Sequence, residues 1–194
     1  MAVMAVTPLA GTPVGTLDGP DAVAVEPRGA VRFATGWELD WWIGAEDRWH
    51  APAESPTVRQ ALLGSCPVTE TRLRVPSGDA VQRVYAARDR SGADVVIADV
   101  INETKVPFAV TFVLRAVDGR APGGIEVTDR AVLVDGVLVA ALPRVPGRIA
   151  FADHGIDGID ALRTVVEGGN AGLPGGAGLT GKGTQVALLY PLAH

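Results

Sequence analysis

The sequence predicts an all-β fold, an antiparallel two-sheet β-sandwich (supersandwich-like) with one or two short helices. Three observations carry this reading. The 24 glycines and 14 prolines fall between short apolar runs instead of gathering in one block, as frequent turns require. Turn residues recur about every 8 to 12 positions, the spacing of a sandwich or barrel. Several runs alternate apolar and polar residues, the period of a half-buried strand. At 194 residues, 47% hydrophobic and 20% charged, the chain can bury a substantial core and is too apolar for disorder.

Residues 1–13, rich in Ala, Thr, Pro and Gly, read as a loose N-terminal segment, and 14–194 as a single β-sandwich domain. Val14 to Leu17, Val23 to Glu26 and Ala30 to Phe33 are short β-like runs parted by Gly and Pro turns. Trp37 to Ile43 alternates, with Trp37, Leu39, Trp41 and Ile43 on one face and Glu38, Asp40 and Trp42 on the other. Ser55-Pro56 reads as an N-cap and first residue of a short helix, with Val58, Leu62 and Leu63 on its apolar side up to Gly64. Val68 to Val75 and Val81 to Ala87 flank the turn Pro76-Ser77-Gly78-Asp79. Val95 to Ile101, apolar on both faces apart from Asp99, reads as a central strand. Val106 to Val117 places Phe108, Val110, Phe112 and Leu114 on one face, and Ile125 to Val134 follows. Asp135-Gly136 joins Val134 to Val137 as a two-residue hairpin turn. Asp157 caps a second short helix over Ile159 to Glu167, and Thr184 to Leu192 is the last strand. No internal repeat and no dividing linker is visible.

Charge and cysteine usage exclude several functions. The formal net charge is −5, and fifteen of the seventeen cations are scattered arginines. That balance opposes nucleic-acid binding, which needs a basic patch. Cys66 is the only cysteine, so no internal disulfide or Cys-based zinc site forms, and it reads as a small buried thiol. No apolar run approaches the ~18 residues of a membrane span. The N-terminus lacks the basic region of a signal peptide, so the expectation is a cytoplasmic protein with neither nucleic acid nor membrane as partner.

Candidate chemistry is sparse. Gly176 to Thr184 resembles a phosphate loop, but a strand-like segment follows where a helix is needed, so nucleotide binding is rejected. His50, His154 and His194 match no metal-ligand spacing, and no cofactor or metal is expected. Ser55, Ser65, Ser77 and Ser91 lie at caps and turns, outside any nucleophile elbow. Asp153-His154 or Glu46 remain candidates for acid/base work, yet glycosidic chemistry needs two carboxylates about 5 to 10 Å apart, facing each other. Adjacent Glu46 and Asp47 do not straddle a bond by themselves, which leaves Asp40 or Asp153 as the possible opposing group.

All four tryptophans lie between positions 37 and 49. Trp37 and Trp41 share a face with Leu39 and Ile43 and read as core. Trp42, Glu46, Asp47, Arg48, Trp49 and His50 are the candidate contacts with a carbohydrate or a partner domain, since a Trp face beside polar groups suits either.

The block Trp41 to His50, together with Val100-Ile-Asn-Glu-Thr-Lys-Val-Pro-Phe-Ala-Val110, is similar to the N-terminal β-sandwich (supersandwich) of actinobacterial glucoamylase or debranching-type glycoside-hydrolase-like proteins. The resemblance covers about residues 30 to 194, and the Trp-rich block is its more specific part. It implies a noncatalytic accessory domain that packs on a helical (α/α)6 toroid holding the catalytic acids. None of those acids maps onto this chain. α-Glucan or another carbohydrate is the ligand the resemblance implies. A stand-alone carbohydrate-binding module and a small sugar-acting enzyme are the alternatives.

Overall fold

The alternating Trp-rich stretch forms β4 (Trp37–Gly44), the hub of the largest sheet. The computed structural model describes residues 11–17, 19, 23–117, 123–152, 166, 173–174, 179–181 and 183–193. In it β4 pairs with β10 (Phe108–Ala116) on one side and with β3 (Val31–Arg32) and β5 (Trp49–His50) on the other. β2 (Val23–Val25) and β1 (Thr12–Val14) continue the sheet beyond β3. β17 (Gln185–Leu192), β14 (Arg148–Ala152) and β15 (Leu173–Pro174) continue it beyond β10. All these pairings are antiparallel, giving nine strands among the described residues.

Two four-stranded antiparallel sheets make up the second layer. One runs β6 (Arg59–Leu62), β7 (Thr69–Val75), β8 (Gly78–Arg88), β9 (Asp94–Thr104). The other runs β13 (Val137–Ala141), β12 (Ala131–Val134), β11 (Ile125–Val127), β16 (Leu179–Gly181). Register explains the core between the layers. Ile43 lies opposite Val110 and Val110 opposite Tyr190, while Trp41 lies opposite Phe112 and Phe112 opposite Leu188. This inner face packs on Leu73, Val75 and Ala80 of one small sheet and on Ile125, Val127, Val132 and Val134 of the other. Trp41 at its centre is 0% exposed. Burying about 200 Å² of such a side chain stabilises by about 5 kcal/mol as an upper bound.

The opposite face of the nine-stranded sheet is also covered. Asp40, Val113, Ala187 and Ala150 lie side by side across β4, β10, β17 and β14, and Trp42 lies beside Thr111. All six are buried, and Val166 packs against Trp42, Val113, Ala150 and Ala187. β4, β10 and β17 are therefore buried on both sides, as is β14 at Ile149 and Ala150.

Several expectations are corrected. The segment after Ser55 is not a helix: a 3-10 turn spans Pro52–Glu54, and Arg59–Leu62 is strand β6. The Ser55 hydroxyl accepts from the Thr57 amide in a local turn, and cross-strand pairing with β7 outweighs the marginal stability of an isolated short helix. β9 is an edge strand, not a central one, among the described residues. Val96, Ala98 and Val100 pack on the core while Val95, Ile97 and Ile101 on the other face stay half-buried alongside exposed Asp99 and Glu103, so apolar character on both faces did not mean two covers. Residues 125–134 form a hairpin, not one strand, turning at Thr128, whose amide donates to the Ala131 carbonyl. β14 is a strand the sequence reading missed, and Cys66 is exposed in the turn before β7, not buried. Asp135-Gly136 does form the two-residue turn, with φ of 51° and 79°, the left-handed pair that a type I′ hairpin demands. The second helix lies outside the described residues except for Val166, and so do Asp153, His154, His194 and most of the glycine-rich loop.

Candidate functional site

The candidate residues occupy the corner where β4 turns into β5. The turn closes through the Ala45 amide, which donates to the Arg48 carbonyl, and sets Gly44 opposite Trp49 and Ile43 opposite His50. Glu46, Asp47 and Arg48 at its tip are exposed, while Trp49 and His50 are half-buried.

Trp42 is not open to solvent. It is 3% exposed and belongs to the cluster with Val113, Ala150, Val166 and Ala187. Its indole N–H donates to Asp40 Oδ2 at 3.3 Å, the partner a buried Trp needs. Trp41 meets the same demand on the other face by donating to the Arg28 carbonyl at 3.3 Å. Trp37 is half-buried against the core.

Trp49 is the tryptophan placed at the corner. Its ring lies over Gly44 so closely that a Cβ there would come within 2.9 Å of Cη2 and 3.0 Å of Cζ2. The absent side chain at Gly44 is what lets the ring lie against the strand. The inner edge of Trp49 packs on the Trp42 cluster. Beside it, His50 Nε2 and Asp47 Oδ1 are 2.9 Å apart. The hydrogen bond from His50 holds the Asp47 carboxyl below its ordinary range. Asp47 thus stands as a carboxylate acceptor, not as a proton donor. Arg48 Nε lies 3.8 Å from the other Asp47 oxygen, an exposed ion pair.

The corner offers an aromatic face, a carboxylate and an imidazole within one hairpin, which suits stacking and hydroxyl recognition. Glu46 and Asp47 stand side by side on the exposed tip of the turn, and Asp153 lies outside the described residues. Asp40, the described residue weighed as the opposing acid, is buried and accepts from the Trp41 amide, the Trp42 indole and Arg115. Burial pushes the Asp40 carboxyl up, while Arg115 opposes the rise. Glu38 completes the group: Arg115 binds it at 2.8 Å and Arg32 at 2.9 Å. This Glu38–Asp40–Arg115 network, held on the covered face by alternation along β4, escaped the sequence reading. Its one signal was two acids at positions i and i+2 in an otherwise apolar strand. Among the described residues no group of three His, Cys, Asp or Glu side chains gathers as a metal site, and no helix is long and apolar enough to cross a membrane.

No protein-family model matches the chain, and neither the curated proteins nor the solved structures contain a match to it.

Proposed function

We propose that this chain is a noncatalytic β-sandwich domain that works by contact, packing against a helical (α/α)6 domain of the glycoside-hydrolase-like type. The observation that supports this reading is β13, the edge of its sheet among the described residues, where Val137 and Leu138 are 66% and 61% exposed. Adjacent large apolar side chains on an outer strand are costly to leave in water and fit a partner surface. The test is chemical-shift mapping of the labelled chain with a recombinant toroid domain from such a protein. Shifts centred on residues 137–141, abolished by Leu138→Asp without loss of the far-UV signal, are expected. A saturating toroid titration that leaves these amides unmoved would sink the reading.

A second reading, a carbohydrate-binding module, is favoured by Trp49 lying over Gly44 beside the Asp47–His50 pair. With Trp41 and Trp42 buried, a sugar-induced fluorescence change reports on the half-buried Trp37 and Trp49, and the Trp49→Ala variant isolates the share that belongs to this corner. α-Glucan titration should give a saturating change that Trp49→Ala removes. A flat response up to millimolar sugar counts against it.

A further inference from the structure

The face of the β6–β9 sheet turned away from the core is a ladder of arginines and carboxylates. Register sets Arg59 beside Arg72, Glu70 beside Arg83 and Arg74 beside Asp79. In the middle of the ladder the charges are matched. Arg72 binds Glu70 at 2.8 Å and Glu103 at 2.7 Å, and Arg83 binds Glu70 at 2.9 Å.

At one end they are not. Arg59 and Arg74 both turn to Asp79, one toward each carboxylate oxygen, at 3.6 and 3.2 Å. Only the second contact is a hydrogen bond. Arg72 also approaches Asp79, at 3.7 Å, so that carboxylate is shared and its charge is not reserved for this pair. Two guanidiniums leaning on one carboxylate leave a local excess of positive charge, in a chain whose formal net charge is −5. Their side chains are 72% and 62% exposed. Together with Pro56 and Thr57 they line an open depression of about 380 Å³. A guanidinium carries five N–H donors in a fixed fork, and among the described residues Arg59 donates no hydrogen bond and Arg74 donates one.

We propose that Arg59 and Arg74 form a binding site for an oxyanion, a carboxylate or phosphate group that enters from solvent and bridges the two guanidiniums above Asp79. Asp79 acts as the built-in competitor: it orients both arginines and weakens the field an incoming anion meets. The site is separate from the β4–β5 corner and does not rest on either reading above.

The experiment follows the arginine Nε–H signals of the full chain during titration with inorganic phosphate. Acetate forms a second arm, and sodium chloride at matched ionic strength is the control. Arg59 and Arg74 should shift saturably while Arg83 and Arg88 stay still. Arg59→Gln should weaken binding by about tenfold, the loss of a charge-assisted hydrogen bond. Asp79→Asn should tighten it by about threefold, the release of an exposed ion pair. Arg74→Lys keeps the charge but loses the fork, and should bind less well than the unaltered chain. Preference for phosphate or for acetate identifies which oxyanion the site takes. Equal shifts with chloride, shifts that never saturate, or an Asp79→Asn variant that binds no better would overturn the proposal.

Discussion

The outer face of the nine-stranded sheet and the open face of the β6–β9 sheet carry the same chemistry, an arginine set between two carboxylates. On the first, Arg115 lies between Glu38 and Asp40, whose side chains are 5% and 3% exposed. On the second, Arg72 lies between Glu70 and Glu103 with about a third of its side chain in water. The hydrogen-bond lengths hardly differ, 2.8 Å against 2.7 to 2.8 Å. What differs is the solvent. A buried pair is held by geometry that must be complete, because either charge alone is poorly solvated. An exposed pair is screened and replaceable.

The largest expected effect tests this difference directly. Arg115→Met leaves Glu38 and Asp40 buried without their shared cation and should destabilise the fold by about 3 to 5 kcal/mol. Arg72→Met should cost less than about 1 kcal/mol. Urea denaturation of both variants supplies the comparison, and equal midpoints would break it.

The two outward-turned tryptophans repeat the contrast at a smaller scale. Trp42→Ala empties a site closed by Val113, Ala150, Val166 and Ala187 and should cost about 3 to 5 kcal/mol, against about 1 to 2 kcal/mol for half-buried Trp49. Thermal melts that rank the two variants the other way would show Trp42 to be loosely covered.

These faces also mark where sequence reading succeeds and stops. Alternation along β4 assigns Trp41 and Trp42 to opposite sides, as found. It does not say whether the second side is covered, because the cover includes Val166, more than a hundred positions away. The same limit misplaced β9: Val95 to Ile101 is apolar on both faces yet lies at an edge, whereas doubly buried β10 carries Thr111 and Arg115 and looks half-polar. Asp135-Gly136 was legible because a turn is a local requirement. The β4–β5 corner was legible as a segment, with Asp47 and His50 three residues apart and in contact. The seating of Trp49 on Gly44 was not, since it depends on a pairing that only the hairpin creates. The arginine ladder is equally invisible before register brings residues 59, 72, 74 and 83 onto one face.

A smaller perturbation sharpens the Trp49 half of the comparison. Gly44→Ala places a Cβ against the Trp49 ring and should cost about 1 kcal/mol as the ring is displaced. Trp49 emission should shift to the red, with Trp42→Phe as background. An unshifted spectrum would mean that the ring does not lie on the strand.

The last prediction turns on a sign and uses one acid from each face. Burial holds the Asp40 carboxyl above its ordinary value, so in the folded state Asp40 binds a proton more tightly than in the unfolded chain. Its contribution to stability is fully present below about pH 4, the unfolded value, and is lost as pH rises through the raised folded value. For Glu70, burial pushes upward but is outweighed by the hydrogen bonds from Arg83 and Arg72, which bring it below its ordinary value. Its contribution is present above about pH 4.3 and is lost as pH falls through the lowered value. Asp47, Asp89 and Asp94 are also lowered, so the informative quantity is each variant minus the unaltered chain. Stability of Asp40→Asn relative to the unaltered chain should improve as pH rises above about 4, as the carboxyl that burial disfavours is replaced by an amide. For Glu70→Gln the same difference should worsen as pH rises toward about 4.3 and then level off. Denaturation across pH 3 to 7 measures both. Slopes of the same sign would mean that the outer face of the nine-stranded sheet is as well hydrated as the arginine ladder, and the contrast between the two faces would collapse.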